Sequence, residues 1–308
     1  MSKVKNLAKL SAKQLEEFFA SFDMIFSDID GVIWSFTYSI PGALESLEAL
    51  NKLGKEVYLV TNNNTHNLEF FVEKARDGGF KINPDHIINT SKAIIWYFKK
   101  INFDGDVFAI LSNSFLNNLQ EAGIQMVEQP KVPLLEPILS EISDRPSVKA
   151  VIVDFDSHCN WGKMALAISC LKREEVIYLS GAPDTWVGDK NIKVLGPGPL
   201  LEVINQLSGR KPISFAKPSQ ILKDYIFSTY NVIDPQRCLF IGDTAQQDMK
   251  FASLCGFMKL FVESGCDNLE EALKEEDTCP DYHISSLGQL FSTFKETEKQ
   301  RTTNHYTR

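Results

Sequence analysis

The sequence predicts an α/β protein with a Rossmann-like, parallel-sheet core interrupted by a second, smaller α/β unit. Three observations predict it. Short apolar runs alternate with stretches of helical period. Those runs are continuous rather than alternating in polarity, as in parallel strands buried on both faces. Several of them hand over to a polar loop at their C-terminal end, the edge at which open α/β sheets bind ligands. The length, 308 residues, suits two domains of ordinary size.

Residues 11–21 predict a short helix, with Ser11 and Gln14 as a capping box and Leu15, Phe18, Phe19 and Phe22 as its apolar stripe. Met24-Ile25-Phe26 is the first strand of interest and ends at Ser27-Asp28. A helix follows from Pro41, with Leu44, Leu47, Leu50 and Leu53 on one side and Gly54 as its stop. Val57-Tyr58-Leu59-Val60 is the next strand and ends at Thr61-Asn62-Asn63-Asn64. The pattern returns late in the chain. Ile213-Ser214-Phe215 runs into Ala216-Lys217-Pro218-Ser219, Cys238-Leu239-Phe240-Ile241 into Gly242-Asp243, and Lys259-Leu260-Phe261-Val262 into Glu263-Ser264-Gly265.

Between these halves the chain reads as its own unit. Strands are expected over Asp106–Leu111, Val148–Val153 and Val176–Leu179, and a helix over Lys163–Leu171. A stretch holding Pro130, Pro133, Pro137 and Pro146 separates two parts of it. The expected division is a core of residues 1–99 and 200–294, an insertion of 100–199, and a polar tail, 295–308, that frays.

Composition narrows the function classes. Hydrophobic residues make up 44% and charged residues 23%, the balance of a soluble globular chain. The formal net charge is −8 and there is no run of Lys or Arg, so nucleic-acid binding driven by long-range charge is not expected. An anionic ligand would need local positive charge: a metal, one lysine, or helix N-termini. No apolar stretch approaches the roughly 20 residues of a membrane span, and the N-terminus does not read as a signal peptide. The cysteines, Cys159, Cys170, Cys238, Cys255, Cys266 and Cys279, have no CxxC spacing. They read as reduced thiols, and the expected location is the cytoplasm.

Four loops carry the chemistry: Asp28-Ile29-Asp30-Gly31-Val32, Thr61-Asn62, Lys217-Pro218-Ser219, and Gly242-Asp243 followed by Asp248. If their strands share one parallel sheet, all four crowd at one edge. Carboxylates then converge with one ammonium and one hydroxyl. Several unpaired carboxylates share a small volume only at high cost, and a divalent cation relieves it. All-oxygen ligands favour Mg²⁺, which also takes a phosphate oxygen. The same set suits phosphoryl transfer, which needs an in-line nucleophile, positive groups around the phosphoryl oxygens and an acid for the leaving oxygen. Asp28 and Asp30 lie two apart, so on an extended segment they face the same way. One can attack while the other protonates the leaving group and later activates water. Alone, each motif is weak: a DxDG run is commonly a turn, a Lys-Pro almost always one, and GDxxxxD can be a helix start with acidic dipole partners. Their order and their place after strands give them meaning together.

On these runs the sequence resembles the haloacid dehalogenase superfamily of phosphatases, and within it the 4-nitrophenyl phosphatase group that includes phosphoglycolate and pyridoxal phosphate phosphatases. The resemblance runs from about Phe22 to about Gly288, most of the chain, and includes Ile40-Pro41-Gly42-Ala43. It implies that Asp28 is the nucleophile and Asp30 the general acid/base. Thr61, Asn62 and Asn63 would bind phosphate, and Lys217 would steady a phosphoaspartate. Mg²⁺ would be held by Asp28, the backbone carbonyl of Asp30, and Asp243, with Asp248 in support. The insertion would be the family's large α/β cap, of C2 type, which covers the site and often mediates homodimer contact. The run Asp154-Phe155-Asp156-Ser157-His158 through Lys163 is its best-matching segment.

The departures lie mostly in the cap. Its substrate loop reads Ser180-Gly181-Ala182-Pro183-Asp184, with Ala182 where the family has Asn and Asp184 kept for substrate binding. Val187 stands where the pyridoxal phosphate branch has a histidine, and Gly196-Pro197-Gly198-Pro199 replaces Pro-Gly-Thr-Gly. In the core, Gln246 replaces a second acid and Ala216 a glycine. His66 reads as a solvated residue at a helix start, His158 as structural or exposed, and Trp34 as a core aromatic or a pocket wall. The expected function is Mg²⁺-dependent hydrolysis of a small phosphorylated metabolite, of 4-nitrophenyl phosphate, phosphoglycolate or pyridoxal phosphate type, through a phosphoaspartate. No nucleic-acid or membrane partner is expected. The alternatives are a catalytically weakened binding or regulatory protein of the same fold, and transfer to an acceptor other than water.

Overall fold

A computed structural model describes residues 4–189, 191–290 and 292. The tail expected from residue 295 lies outside the described residues. The main sheet has seven parallel strands: β1 (Lys5–Asn6), β2 (Met24–Ser27), β3 (Glu56–Thr61), β4 (Ile87–Asn89), β11 (Cys238–Gly242), β12 (Met258–Val262) and β13 (Tyr282–Ile284). Their order is β1-β13-β12-β11-β2-β3-β4. The two strands that lead into Asp28 and Asp243 are therefore neighbours at the centre.

Continuous apolar runs put alternate side chains into opposite faces, and both faces are covered. Ile25, Leu59, Leu239 and Ile241 pack toward the helices Ala12–Ala20, Ala43–Lys52 and Leu68–Asp77, through Phe18, Leu47, Leu50 and Phe71. Phe26, Tyr58, Val60 and Phe240 face the helices Thr90–Lys100, Gln220–Thr229 and Lys250–Cys255. Phe26 stacks between Tyr58 at 5.2 Å and Phe257 at 5.0 Å. Burying such a ring contributes roughly 1.5–3 kcal/mol, which anchors the strand two residues before Asp28. The capping box on the first helix forms as expected, with Gln14 Oε1 accepting from Ser11 N at 2.9 Å.

The insertion carries a four-stranded parallel sheet of β5 (Asp106–Ile110), β6 (Val148–Val153), β7 (Ile177–Ser180) and β10 (Ile213–Ser214), in the order β10-β7-β6-β5. An antiparallel hairpin, β8 (Trp186–Gly188) and β9 (Lys193–Leu195), projects from it. The sequence reading placed Ile213-Ser214-Phe215 in the core and ended the insertion at residue 199. Instead β10 pairs with β7, Ile213 opposite Leu179, and the helix Gly198–Ser208 packs through Leu201 and Ile204 on the helix Trp161–Leu171. The chain returns to the core after Ser214, just ahead of Lys217. A short apolar run carries no mark of which sheet it joins, so sequence placed it by the motif that follows.

The two units share one apolar cluster. Phe26, Tyr58 and Val60 from the core join Ala150, Ile152 and Leu179 from the insertion through Ile94, Phe98, Phe215 and Ile226. All six cysteines are free thiols. Among the described residues no helix is long and apolar enough to cross a membrane.

Candidate active site

Sheet register brings the four loops together. Ser27 lies opposite Ile241 on one side and Leu59 on the other, so Asp28, the Thr61 loop and Asp243 leave the sheet at the same edge. Asp28 N still donates to Ile241 O at 2.8 Å, which fixes the backbone of this residue as an extension of β2. Gly31 has a φ of +87°, and a Cβ there would collide with the Asp243 carboxylate. The loop therefore needs glycine for its conformation and for the close approach of Asp243.

Lys217 lies at the centre. Its Nζ donates at 2.7 Å to Asp28 Oδ1, at 2.7 Å to Asp248 Oδ1, and at 3.1 Å to Val60 O. It is 2% exposed. Burial alone would lower its pKa, but Asp248 and Asp28 outweigh burial and hold the ammonium charged. Asp248 has both oxygens engaged: Oδ2 accepts from Asp243 N, Thr244 N and Thr244 Oγ1. It holds Lys217 with one oxygen and the Asp243–Thr244 backbone with the other.

Asp28, Asp243 and Asp248 bring one carboxylate oxygen each within 4.8 Å of one another. One lysine against three buried carboxylates leaves net negative charge. Burial, partly offset by Lys217, pushes the Asp28 carboxyl up to about 8. Burial and then Asp248 and Asp28 push Asp243 up as well. Asp243 Oδ2 accepts from Cys266 N at 2.6 Å, while its buried Oδ1 has no partner among the described residues. A buried carboxylate oxygen without a donor, beside a second carboxylate, fits a hard divalent cation.

The asparagines of the Thr61 loop also brace the site through their side chains. Asn62 spends its amide on structure: Oδ1 accepts from Lys217 N at 2.9 Å and Nδ2 donates to Gln247. Asn63 Nδ2 donates to Asp30 Oδ2 at 3.2 Å, and its Oδ1 accepts from Thr65. These side chains aim Lys217 and Asp30. Burial raises the Asp30 carboxyl and the Asn63 hydrogen bond opposes it.

A cavity of about 150 Å³ joins this edge to the insertion. The expected residues Asp28, Asp30, Thr61, Asn62, Asn63, Asp184, Lys217 and Asp243 all line it. Asp248 sits behind Lys217. Phe36, Asn64, Asp154, Phe155, Trp186 and Gln247 also line it, and sequence reasoning gave none of them a pocket role. Trp34 is buried in the core, 6.3 Å from Phe71, and Phe36 takes the wall position instead. Gln246 faces outward to Glu275, and its neighbour Gln247 donates to Asp184 Oδ1. His66 stacks on Phe70 and His158 is exposed, both outside the cavity lining.

A family model for haloacid dehalogenase-like hydrolases matches residues 25–125, and a second, HAD-hydrolase-like, matches residues 214–290. Between them they cover both halves of the core, on either side of the insertion. The chain belongs to the haloacid dehalogenase-like hydrolases. Relatives in this family match it over nearly their whole length. A 4-nitrophenylphosphatase of Schizosaccharomyces pombe is 28% identical over 92% of this chain and 98% of its own. A glycerol-3-phosphate phosphatase of Gallus gallus is 26% identical over 94% and 97%. The crystal structure of a 4-nitrophenylphosphatase from Thermotoga maritima superposes with a TM-score of 0.74 at 22% identity, covering 89% of this chain and 98% of that one. That likeness speaks to the fold, including an inserted cap of C2 type. As a haloacid dehalogenase-like hydrolase among phosphatases, the chain is a phosphoric monoester hydrolase.

Proposed function

We propose that this chain hydrolyses small phosphate monoesters in two steps through a phosphoryl group on Asp28, with Mg²⁺ as its metal. The observation that carries the reading is Asp28 at the cavity floor, its Oδ1 held 2.7 Å from a buried lysine. In the first step a carboxylate oxygen of Asp28 attacks phosphorus and the ester bond breaks. Asp30, whose carboxyl burial shifts toward the protonated form, gives its proton to the leaving oxygen. In the second step Asp30, now a carboxylate, takes a proton from water as that water attacks the phosphoryl group, and Asp28 is released. Lys217 offsets charge on Asp28 in both steps. Asp28, Asp243 and the backbone carbonyl of Asp30 would hold Mg²⁺, which supplies positive charge to the transferring phosphoryl oxygens.

The test is turnover of 4-nitrophenyl phosphate with Mg²⁺ and with chelator, in the wild type and in Asp28→Asn. We expect chelation to stop the reaction and the variant to lose at least about 10³-fold in kcat. Near-wild-type activity in Asp28→Asn would overturn the mechanism. Absence of turnover on any ester would support the binding-protein alternative, and transfer of phosphate to an added alcohol would support the phosphotransferase one.

A further inference from the structure

The leaving-group end of the cavity has an unusual charge. Among the described residues its cationic lining consists of Lys217, and Lys217 is already engaged by Asp28 and Asp248. Opposite the catalytic aspartates, the insertion contributes two more carboxylates, Asp154 and Asp184, with Phe155 and Trp186 beside them. Asp154 follows β6 directly and is only 3% exposed. Its Oδ1 accepts from Phe155 N at 2.6 Å. Its Oδ2 faces Asn64 Nδ2 at 3.3 Å, but that amide has Thr90 Oγ1 at 2.5 Å and Asn62 O at 3.2 Å as nearer acceptors. An amide NH₂ has two hydrogens for three acceptors, and Asp154 is the farthest. Gly181 makes room for this carboxylate, since a Cβ there would collide with Asp154 Oδ2.

A carboxylate buried to this degree without a cation is costly, and a second one beside it raises the cost. Such a group persists where a ligand supplies the missing charge. We infer that the preferred substrates are small phosphate monoesters whose leaving group carries an ammonium, received between Asp154 and Asp184 while the phosphate sits on Asp28. This rests on the phosphatase reading above and refines it. A leaving group with a carboxylate would meet two like charges and no free cation among the described lining residues, and a neutral hydroxyl would leave the pair uncompensated.

Three esters with two-carbon leaving groups isolate the charge: 2-aminoethyl phosphate, 2-hydroxyethyl phosphate and phosphoglycolate, ending in ammonium, hydroxyl and carboxylate. With 4-nitrophenyl phosphate as the reference for phosphatase chemistry, the expected order of kcat/KM is ammonium, hydroxyl, carboxylate, with at least tenfold between first and second. In Asp154→Asn and separately in Asp184→Asn, the ratio of the ammonium to the hydroxyl ester falls at least fivefold. Hydroxyl or carboxylate esters turned over as well as the ammonium ester overturn the inference and leave the phosphatase reading standing. So does an equal loss on all esters in both variants. If 4-nitrophenyl phosphate itself is not cleaved, the phosphatase reading fails first and takes the inference with it.

Discussion

Thr37 Oγ1 donates a 2.8 Å hydrogen bond to Asp189 Oδ2, joining the loop that follows Asp28 to the β8–β9 hairpin of the insertion. Thr37 N and Ser35 Oγ donate to the same oxygen at 3.1 Å each. Oδ1 accepts from the backbone N–H groups of Asn191 and Ile192. One carboxylate thus closes its own turn with one oxygen and ties that turn to the core with the other.

The tie predicts a local loosening. The hydrogen bond from Thr37, more than any other cause, holds the Asp189 carboxyl down at about 2. Because the folded pKa is depressed, this stabilisation is present above the ordinary value near 3.8 and is lost as pH falls toward 2. In Asp189→Ala we expect chymotrypsin to cut after the exposed Trp186 several-fold faster at pH 8, with the rest of the digestion pattern unchanged. Equal cutting rates would show that the hairpin holds without the tie.

Lys217→Met tests the centre of the site. The substitution keeps most of the stem but leaves Asp28 and Asp248 buried without a cation. Breaking a buried pair from one side costs ~3–5 kcal/mol. The melting temperature at pH 7.5 should fall sharply and turnover should vanish. Acidification should recover part of the lost stability, because protonation relieves the carboxylates. A variant with unchanged Tm would show the triad to be electrostatically idle.

Metal binding can be read without catalysis. The unpartnered Asp243 Oδ1 predicts that Mg²⁺ raises the Tm of the wild type, by ~2.7 kcal/mol of stability at a hundredfold excess over Kd. Asp243→Asn should flatten that titration. A Tm equally responsive in both proteins would place the cation elsewhere.

Asp154 predicts stability gained by mutation. Burial first, with a further contribution from Asp184, raises its carboxyl to about 7. Between about pH 4 and pH 7 the folded chain keeps a proton there that the unfolded chain has released. The destabilisation carried at pH 8 is therefore shed as pH falls. Asp154→Asn should raise Tm at pH 8 by about 2–4 °C, with the gap closing near pH 4. A lower Tm in the variant at pH 8 would contradict the buried charge.

Much of the candidate site's edge of the sheet was legible in the sequence, because central parallel strands announce themselves. Met24–Phe26, Val57–Val60 and Cys238–Ile241 are continuous apolar runs, and each ends on a polar loop that lines the cavity or its rear wall. Edge strands give no such signal: β1 is the pair Lys5–Asn6, and β10 is a pair that pattern alone assigned to the wrong sheet. Side-chain roles inside a loop were harder still. Asn62, Asn63 and Asn64 are chemically identical, and only their hydrogen bonds separate the strut of Lys217, the guide of Asp30 and the neighbour of Asp154. One signal was available and unused. Val148–Val153 is an apolar strand ending on Asp154, the same grammar that marked Asp28.

The apolar cluster that runs from Phe26 through Phe215 to Ile152 makes the insertion a poor module for exchange. Transplanting it onto another member's core would cut through packed side chains rather than along a solvated seam, leaving apolar surface bare on both pieces. Changes of substrate in this lineage are therefore better sought as point replacements at strand ends and in the β8–β9 hairpin than as wholesale shuffling of caps. Heated, core and insertion should come apart as a single cooperative unit.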